Sequence, residues 1–343
     1  GYEFYRDGNG RFEAFRKGIV DVRPEPDAAR WATAYDFPAV RDGRVVQDTF
    51  VTAAPQGMSG FVFNTRRAIF SDVRVREALG LLFDAAWVNR NFFSDEYRRS
   101  ASLFASSELS AEGRAADADE RALLAGFPTA VRPDVMEGTA RFVRADGSGR
   151  DRKTLRRALA LLGDAGWTLH DGVLRARRGG EPFAFEIMVT SRDQERLALA
   201  LSRDLKRAGI KARIRSVDAA QYDRRRQTYD FDMIQNEWGA SLSPGNEQLI
   251  YWGSASAEAF GSRNYMGVRS PAVDAMIDAL LAARERSAFV AAVRALDRVL
   301  MSGFYVIPLF HTPEQWVGRW TSIARPAQAS AQGFVIESWW RAQ

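Results

Sequence analysis

A chain of 343 residues, 46% hydrophobic and 12% aromatic, can bury a substantial core and is long enough for two compact units. No run reaches the roughly 18 to 20 apolar residues that a membrane-spanning helix requires, and zero cysteines exclude disulfides, thiolate metal sites and a cysteine nucleophile. The net charge of +5 is spread through segments that also carry Asp and Glu, and the tightest basic runs, Arg66-Arg67, Arg177-Arg178 and Arg224 to Arg226, lack interleaved aromatics, so nucleic acid is not an expected partner.

Tyr2-Glu3-Phe4-Tyr5-Arg6 alternates as a strand would, Gly10 to Lys17 puts Phe12 and Phe15 on one helical face, and Ile19 to Val22 reads as a second strand. Opening on a strand without a cap or turn before it suggests a domain entered partway through. Ser59 to Asn64 is an apolar run, and Ser71-Asp72 caps a helix bearing Val75, Leu79, Leu82 and Ala86. Polar clusters, Gly and Pro interrupt residues 94–150, which predicts a long surface excursion. Leu155, Ala158, Leu159 and Leu162 mark a helix, followed by a hairpin centred on Asp171-Gly172. Phe183, Phe185, Ile187 and Val189 then alternate as a buried strand. A helix with Leu197, Leu201 and Leu205, a strand with Ile210, Ala212 and Ile214, another helix and the strand Phe231 to Ile234 follow. That alternation predicts a parallel sheet with crossover helices. Ser270-Pro271 opens one helix, Ser287 caps another that runs to about Met301, and Phe304 to Phe310 reads as a strand.

Little in this pattern carries covalent chemistry. His170 beside a turn and His311 after an apolar strand lack the neighbours that a metal ligand or general base needs. Asp230 and Asp232 flank an apolar Phe231 and read as backbone acceptors more readily than as a proton-sharing dyad. No phosphate-binding glycine loop, nucleophile elbow or zinc motif occurs, so no catalytic residue, metal or cofactor is assigned. What remains is Tyr229 to Gln248, which begins as a strand and leaves it through small and polar residues around Trp238. In open α/β sheets ligands bind beyond the carboxyl ends of strands. There Trp238 offers an apolar plate and Ser241, Ser243, Asn246 and Glu247 offer hydrogen bonds; alternatively Trp238 is core and Asn246 caps the helix leading to Trp252.

The chain resembles the oligopeptide and dipeptide class of ABC-transporter solute-binding proteins, family 5, in the branch that includes the murein-peptide and microcin-import binding proteins. The matching stretches run in order: Glu13 to Gly18 with Asp21, Trp31-Ala32-Thr33, Gly60 to Arg67, Phe70 to Leu79, Ala165-Gly166-Trp167, Ser243-Pro244-Gly245-Asn246-Glu247-Gln248, Gly261-Ser262-Arg263-Asn264-Tyr265, Ala295 to Leu300 and Ile307-Pro308. The resemblance implies an α/β, periplasmic-binding-protein-like type II (cluster C) fold, a two-lobed clamp here lacking the N-terminal part of lobe I and the extra lobe. On this basis residues 1–58 are expected to form part of lobe I, 59–306 the C-terminal ligand-binding lobe (lobe III) and 307–343 the return into lobe I. It further implies a monomeric, periplasmic protein, peripheral to the membrane, that captures a peptide or peptide-like molecule and delivers it to permease subunits; the alternatives are a peptide hydrolase or amidase, or a ligand-sensing subunit. Carried over by position, the ligand tryptophan falls on Trp238, with Arg226, Gln235 and Ser241 as further contacts and Asn236 and Glu237 beside them. An aspartate that receives the peptide amine in several relatives is Ser241 here, which leaves that role to Glu237 or Glu247. A position acidic in some relatives is Phe61, favouring stacking and hydrogen bonding over charge.

Overall fold

The computed structural model describes residues 1–5, 7–140 and 145–342. The chain forms two compact units: Gly1–Ala54 with Asn89–Arg98 and the segment from Thr312 onward, and Pro55–Val88 with Arg99–His311. The sequence placed the divisions after residues 58 and 306 and gave no sign that residues 89–98 go with the first unit.

The first unit starts with α1 (Gly8–Arg16), where the Asp7 side chain accepts from the backbone of Gly10, and continues through β1 (Val22–Pro24), α2 (Ala28–Thr33) and β2 (Val45–Phe50). Phe12 and Phe15 are buried as their spacing predicts, with Tyr35, Phe37 and Val45. The alternating stretch before α1 is not a strand: Tyr2 and Phe4 are exposed, and residues 2–5 have no ladder partner among the described residues. Arg6 lies outside them.

The second unit contains β3 (Met58–Phe63), α3 (Val73–Leu82), α4 (Arg152–Asp164), β4 (Ala184–Val189), α5 (Arg192–Lys206), β5 (Lys211–Ser216), α6 (Ala219–Gln227), β6 (Met233–Trp238), α7 (Glu247–Trp252), α8 (Pro271–Ala282), α9 (Arg286–Ser302) and β7 (Val306–Pro308). The chain then returns to the first unit as β8 (Gln315–Trp320), which lies between β1 and β2, antiparallel to both. The hairpin at Asp171-Gly172 forms as expected. The five-stranded sheet has the order β7-β3-β6-β4-β5. Its β4, β5 and β6 are parallel, joined by α5 and α6 as the alternation predicts, whereas β3 runs antiparallel to β6 and β7 antiparallel to β3. The sheet is therefore mixed. No crossover helix links β3 to its neighbour, so nothing imposed the parallel sense on it.

Of the Ser71-Asp72 pair expected to cap α3, Asp72 does so through its side chain. Two further expectations are corrected. α9 starts at Arg286 with Glu285 at the cap position and no side-chain cap bond, so Ser287 is not its cap. More consequentially, residues 94–150 are not a surface excursion. Leu103, Phe104, Leu109, Leu124 and Val131 are buried in the main core. Polar groups inside that segment find partners on α9: Asp297, 1% exposed, accepts from Ser102 Oγ (2.7 Å), Leu103 N (2.9 Å) and Ala111 N (3.0 Å). Next to it, fully buried Arg298 pairs with Glu120 and donates to the carbonyls of Val135 and Arg114. An acceptor and a donor side chain on one helix thus stand in for the ladder that an irregular segment lacks.

Burial pushes the Asp297 carboxyl up to about 6, against the opposing pull of Ser102, the two backbone donors and Arg298. A raised carboxyl pKa means that the folded chain binds this proton more tightly than the unfolded chain does. The contribution to stability is therefore greatest below about pH 4 and is lost as pH rises through about 6. Comparing denaturation midpoints of the protein and of Asp297→Asn between pH 4 and pH 7 should show the wild type losing stability with rising pH relative to the variant; parallel curves would contradict the assignment.

Candidate functional site

The start of β6 is positioned by the turn that follows β3. Asn64, with no exposed surface, donates its amide to the carbonyls of Tyr229 (3.0 Å) and Phe231 (2.8 Å). Its backbone N–H takes the carbonyl of Asp232 (3.0 Å). Tyr229 sits in the left-handed region (φ +55°), costly for a bulky side chain. The Asn64 bond, together with Tyr229 Oη bonding to Ala259 O (2.5 Å) and Ser262 Oγ (2.6 Å), holds it there. Thr65 donates to Met266 O (2.7 Å), and Arg66 reaches the carbonyls of Ala257, Asn264 (3.0 Å) and Tyr265 (3.2 Å) while its guanidinium lies 3.8 Å from the Tyr229 ring centroid. Asn264, also fully buried, closes its own loop through Gly253 O, Val268 O and Val268 N. Two of the stretches that carry the family resemblance, Gly60 to Arg67 and Gly261 to Tyr265, thus meet each other around backbone carbonyls.

Beyond this lock β6 runs to Trp238, and the expected ligand residues fall on both faces of the sheet. Phe61 and Gln235 are cross-strand partners and share one face. Phe61 has no exposed surface and packs edge-on against Phe83, so it presents nothing to a ligand here. Gln235 is half-buried, its amide donating to Gln194 O (2.8 Å) in α5. Trp238 belongs to the opposite face. It is 3% exposed, packs on Trp252 (5.0 Å) and Tyr265 (6.1 Å), and donates from Nε1 to Arg263 O (3.3 Å). The core alternative therefore describes Trp238 in this structure, and the plate is covered.

Arg226, on α6, meets this same aromatic group: its guanidinium lies 5.3 Å from the Tyr265 ring and 5.7 Å from that of Tyr222, Nη2 pairs with Asp223 (2.9 Å), and Nε is buried without a hydrogen-bond partner. Tyr222, whose hydroxyl burial pushes up to about 12, donates to Gln235 O (2.7 Å). Tyr222 and Tyr265 thus join Arg226, Gln235 and Trp238, a role the sequence did not single out, although Tyr265 stands inside a matched stretch.

The polar residues gather at the strand end. Glu237, Ser241, Ser243 and Asn246 are exposed, and Asn236 is half-buried. Asn246 precedes α7 without a side-chain cap bond, so capping does not occupy it. Glu247 accepts from Gly245 N (2.9 Å) and Gln248 Nε2 (3.1 Å) and is spent on its own turn. The chain enters and leaves the unit beside this end: Met58 pairs with Trp238, and Pro308 with Gly60 two registers on. At Gly57 (φ +70°) a Cβ would lie 2.2 Å from the Trp238 carbonyl, so only glycine fits.

Elsewhere Asp230 and Asp232 are structural: Arg67 pairs with both, Arg225 with Asp230, and Asp232 accepts from Glu186 N (2.9 Å). His170 is exposed on the hairpin, and His311 shares a hydrogen bond with Ser100 (3.0 Å). Among the described residues no group of three His, Asp or Glu could hold a metal ion, and no helix is long and apolar enough to cross a membrane.

A mixed sheet covered by helices, from which the chain departs to a second unit and returns, defines a periplasmic-binding-protein-like type II fold. The oligopeptide-binding protein AppA of Bacillus subtilis, solved with a nonapeptide, shares it: TM-score 0.70 at 18% identity over 100% of this chain and 60% of that one. The chain belongs to the bacterial extracellular solute-binding proteins, family 5, whose middle region matches residues 1–260. It is 54% identical over 338 residues to a putative binding protein of Brucella suis, covering 98% of this chain and 55% of that protein. It is 44% identical over 339 residues to the peptidoglycan-binding protein YepA of Agrobacterium fabrum, covering 97% and 55%. The chain thus spans about half the length of the curated relatives it matches.

Two substitutions separate lock from site. Asn64→Ala leaves the Tyr229 carbonyl without this donor and the Phe231 carbonyl with Arg67 alone, and should cost about 1–3 kcal/mol of unfolding free energy. Trp238→Ala should cost about 3–5 kcal/mol, the scale for emptying a packed aromatic site. Urea denaturation checks both; a Trp238→Ala protein as stable as wild type would return that ring to the ligand.

Proposed function

We propose that the chain supplies the ligand-holding lobe, and part of a second lobe, of a periplasmic solute-binding protein that captures a peptide-like molecule for an ABC-transporter permease. The observation that carries this reading is the end of β6: exposed polar side chains and unladdered backbone lie beyond the carboxyl end of a strand, beside the segments by which the chain first enters and last leaves the unit. Binding there is coupled to closure, because a ligand that touches both lobes favours the closed form by its differential affinity. Extended backbone offered to a peptide gives affinity through main-chain pairing with broad side-chain tolerance. The names of YepA and of the AppA complex support a peptide or peptidoglycan-derived ligand. The protein acts as a monomer peripheral to the membrane, and binds without turning its ligand over; release of cleavage products from incubated peptides would favour a hydrolase instead.

Within the site, Glu237 is the carboxylate available to a ligand amine. It is exposed and forms no ion pair among the described residues, whereas Glu247 is occupied by Gly245 and Gln248, and Ser241 carries no charge. In calorimetric titrations of the full-length protein, Glu237→Gln should weaken binding of a peptide with a free amino terminus about fivefold to tenfold, near 1 kcal/mol, and leave the N-acetylated peptide unaffected. Equal losses for both peptides would remove Glu237 from amine recognition.

A further inference from the structure

In the first unit, two guanidinium groups, those of Arg23 and Arg30, converge on one buried carboxylate, Glu25. Arg23, in β1, is 1% exposed and Glu25 is 3% exposed. Arg23 Nη1 donates to Glu25 Oε2 and to Tyr35 Oη (3.2 Å), and Tyr35 Oη also bonds to Glu25 Oε2 (3.4 Å). Glu25 Oε1 takes the backbone N–H of Asp27 (3.0 Å) and Nη1 of Arg30 (3.4 Å). Both oxygens of the carboxylate are therefore engaged. Arg30 also reaches Asn9 and Asp27.

The donors are not used up. Among the described residues Arg23 Nε and Nη2, and Arg11 Nε, are buried and have no hydrogen-bond partner. The rings nearby do not answer this need. Arg23 lies 5.1 Å and Arg30 5.4 Å from the centroid of Phe12, contacts that stabilise the cation but accept none of its in-plane N–H groups. Arg11 and Arg30 disfavour the charge on Arg23, beyond the larger effect of burial, so the cluster lacks negative charge as well as acceptors. The two open donors of Arg23 also share one edge of the planar fork. That edge matches two oxygens of a carboxylate or phosphate side by side.

We propose that the Nε and Nη2 edge of Arg23, with Arg11 beside it, is an oxyanion-binding site. The oxyanion is either the carboxylate of the peptide-like ligand, which rests on the reading above, or a small inorganic anion bound independently of it. Arg11 is half-buried where Arg23 is buried and near enough to act on its charge, so an anion held by both would neutralise a repulsion as well as fill the open donors.

Thermal unfolding at constant ionic strength tests the site with acetate and inorganic phosphate as probes. The midpoint should rise saturably by several degrees with either anion, and Arg11→Gln and Arg23→Lys should lose most of that rise. Arg23→Lys keeps the charge but not the two-donor edge; Arg11→Gln removes a half-buried side chain and covers the case in which the Arg23 variant does not fold. A second titration uses tetra-alanine and its C-terminal amide on the full-length protein. A tenfold or larger loss for the acid alone in the Arg11 variant identifies the ligand carboxylate as the occupant; an anion-dependent midpoint with unchanged peptide affinity identifies a free anion. The acetate arm involves no peptide and stands whichever way the peptide reading falls. A wild-type midpoint that does not respond, or Arg11→Gln responding as wild type does, together with unchanged tetra-alanine affinity, overturns the site.

Discussion

The carbonyl lock around Asn64, Thr65 and Arg66 governs the geometry of the second unit. A strand can begin its ladder anywhere, but β6 must begin in one register against β3, and the irregular loop at residues 257–267 must lie under the same aromatic group. Neither requirement is met by regular secondary structure. Three consecutive side chains meet both by donating to backbone carbonyls on either side. Burial lowers the pKa of Arg66, yet the carbonyls it reaches and the face of Tyr229 compensate for the loss of water.

The lock also explains what was legible in the sequence. The strand-helix alternation from Phe183 to Ile234 reads directly because each element buries one face at its own period. The sense of β3 does not read, because pairing direction depends on how the chain reaches the sheet and not on the side chains of the strand. Residues 94–150 misled for a different reason. Their polar and small residues look solvent-facing until the acceptors on α9 are known, and Asp297 and Arg298 sit more than 150 positions later in the chain.

The candidate site is a strand end in both readings and differs in detail. Ser241, Ser243, Asn246 and Glu237 are exposed there, as the sequence expected of polar residues leaving the strand. Trp238 and Phe61 were drawn to it by type and by resemblance, but alternation along β6 and β3 sends them into opposite layers of the core. Resemblance transfers a position more reliably than it transfers an exposure, since exposure depends on neighbours such as Trp252, Tyr265 and Phe83. The matched stretches around Asn64 and Asn264 illustrate the same point, because their polar residues serve the backbone.

Gly57 has a mechanical consequence. With its Cα pressed against the Trp238 carbonyl, the segment by which the chain enters the unit and the last residue of β6 have no slack between them. Rotation of the chain at that entry would push directly on the peptide group from which the polar loop begins, and a load on that loop would be felt at the entry. One missing methyl group ties the chain's entry to the start of the polar loop, and any larger residue at position 57 would pry them apart.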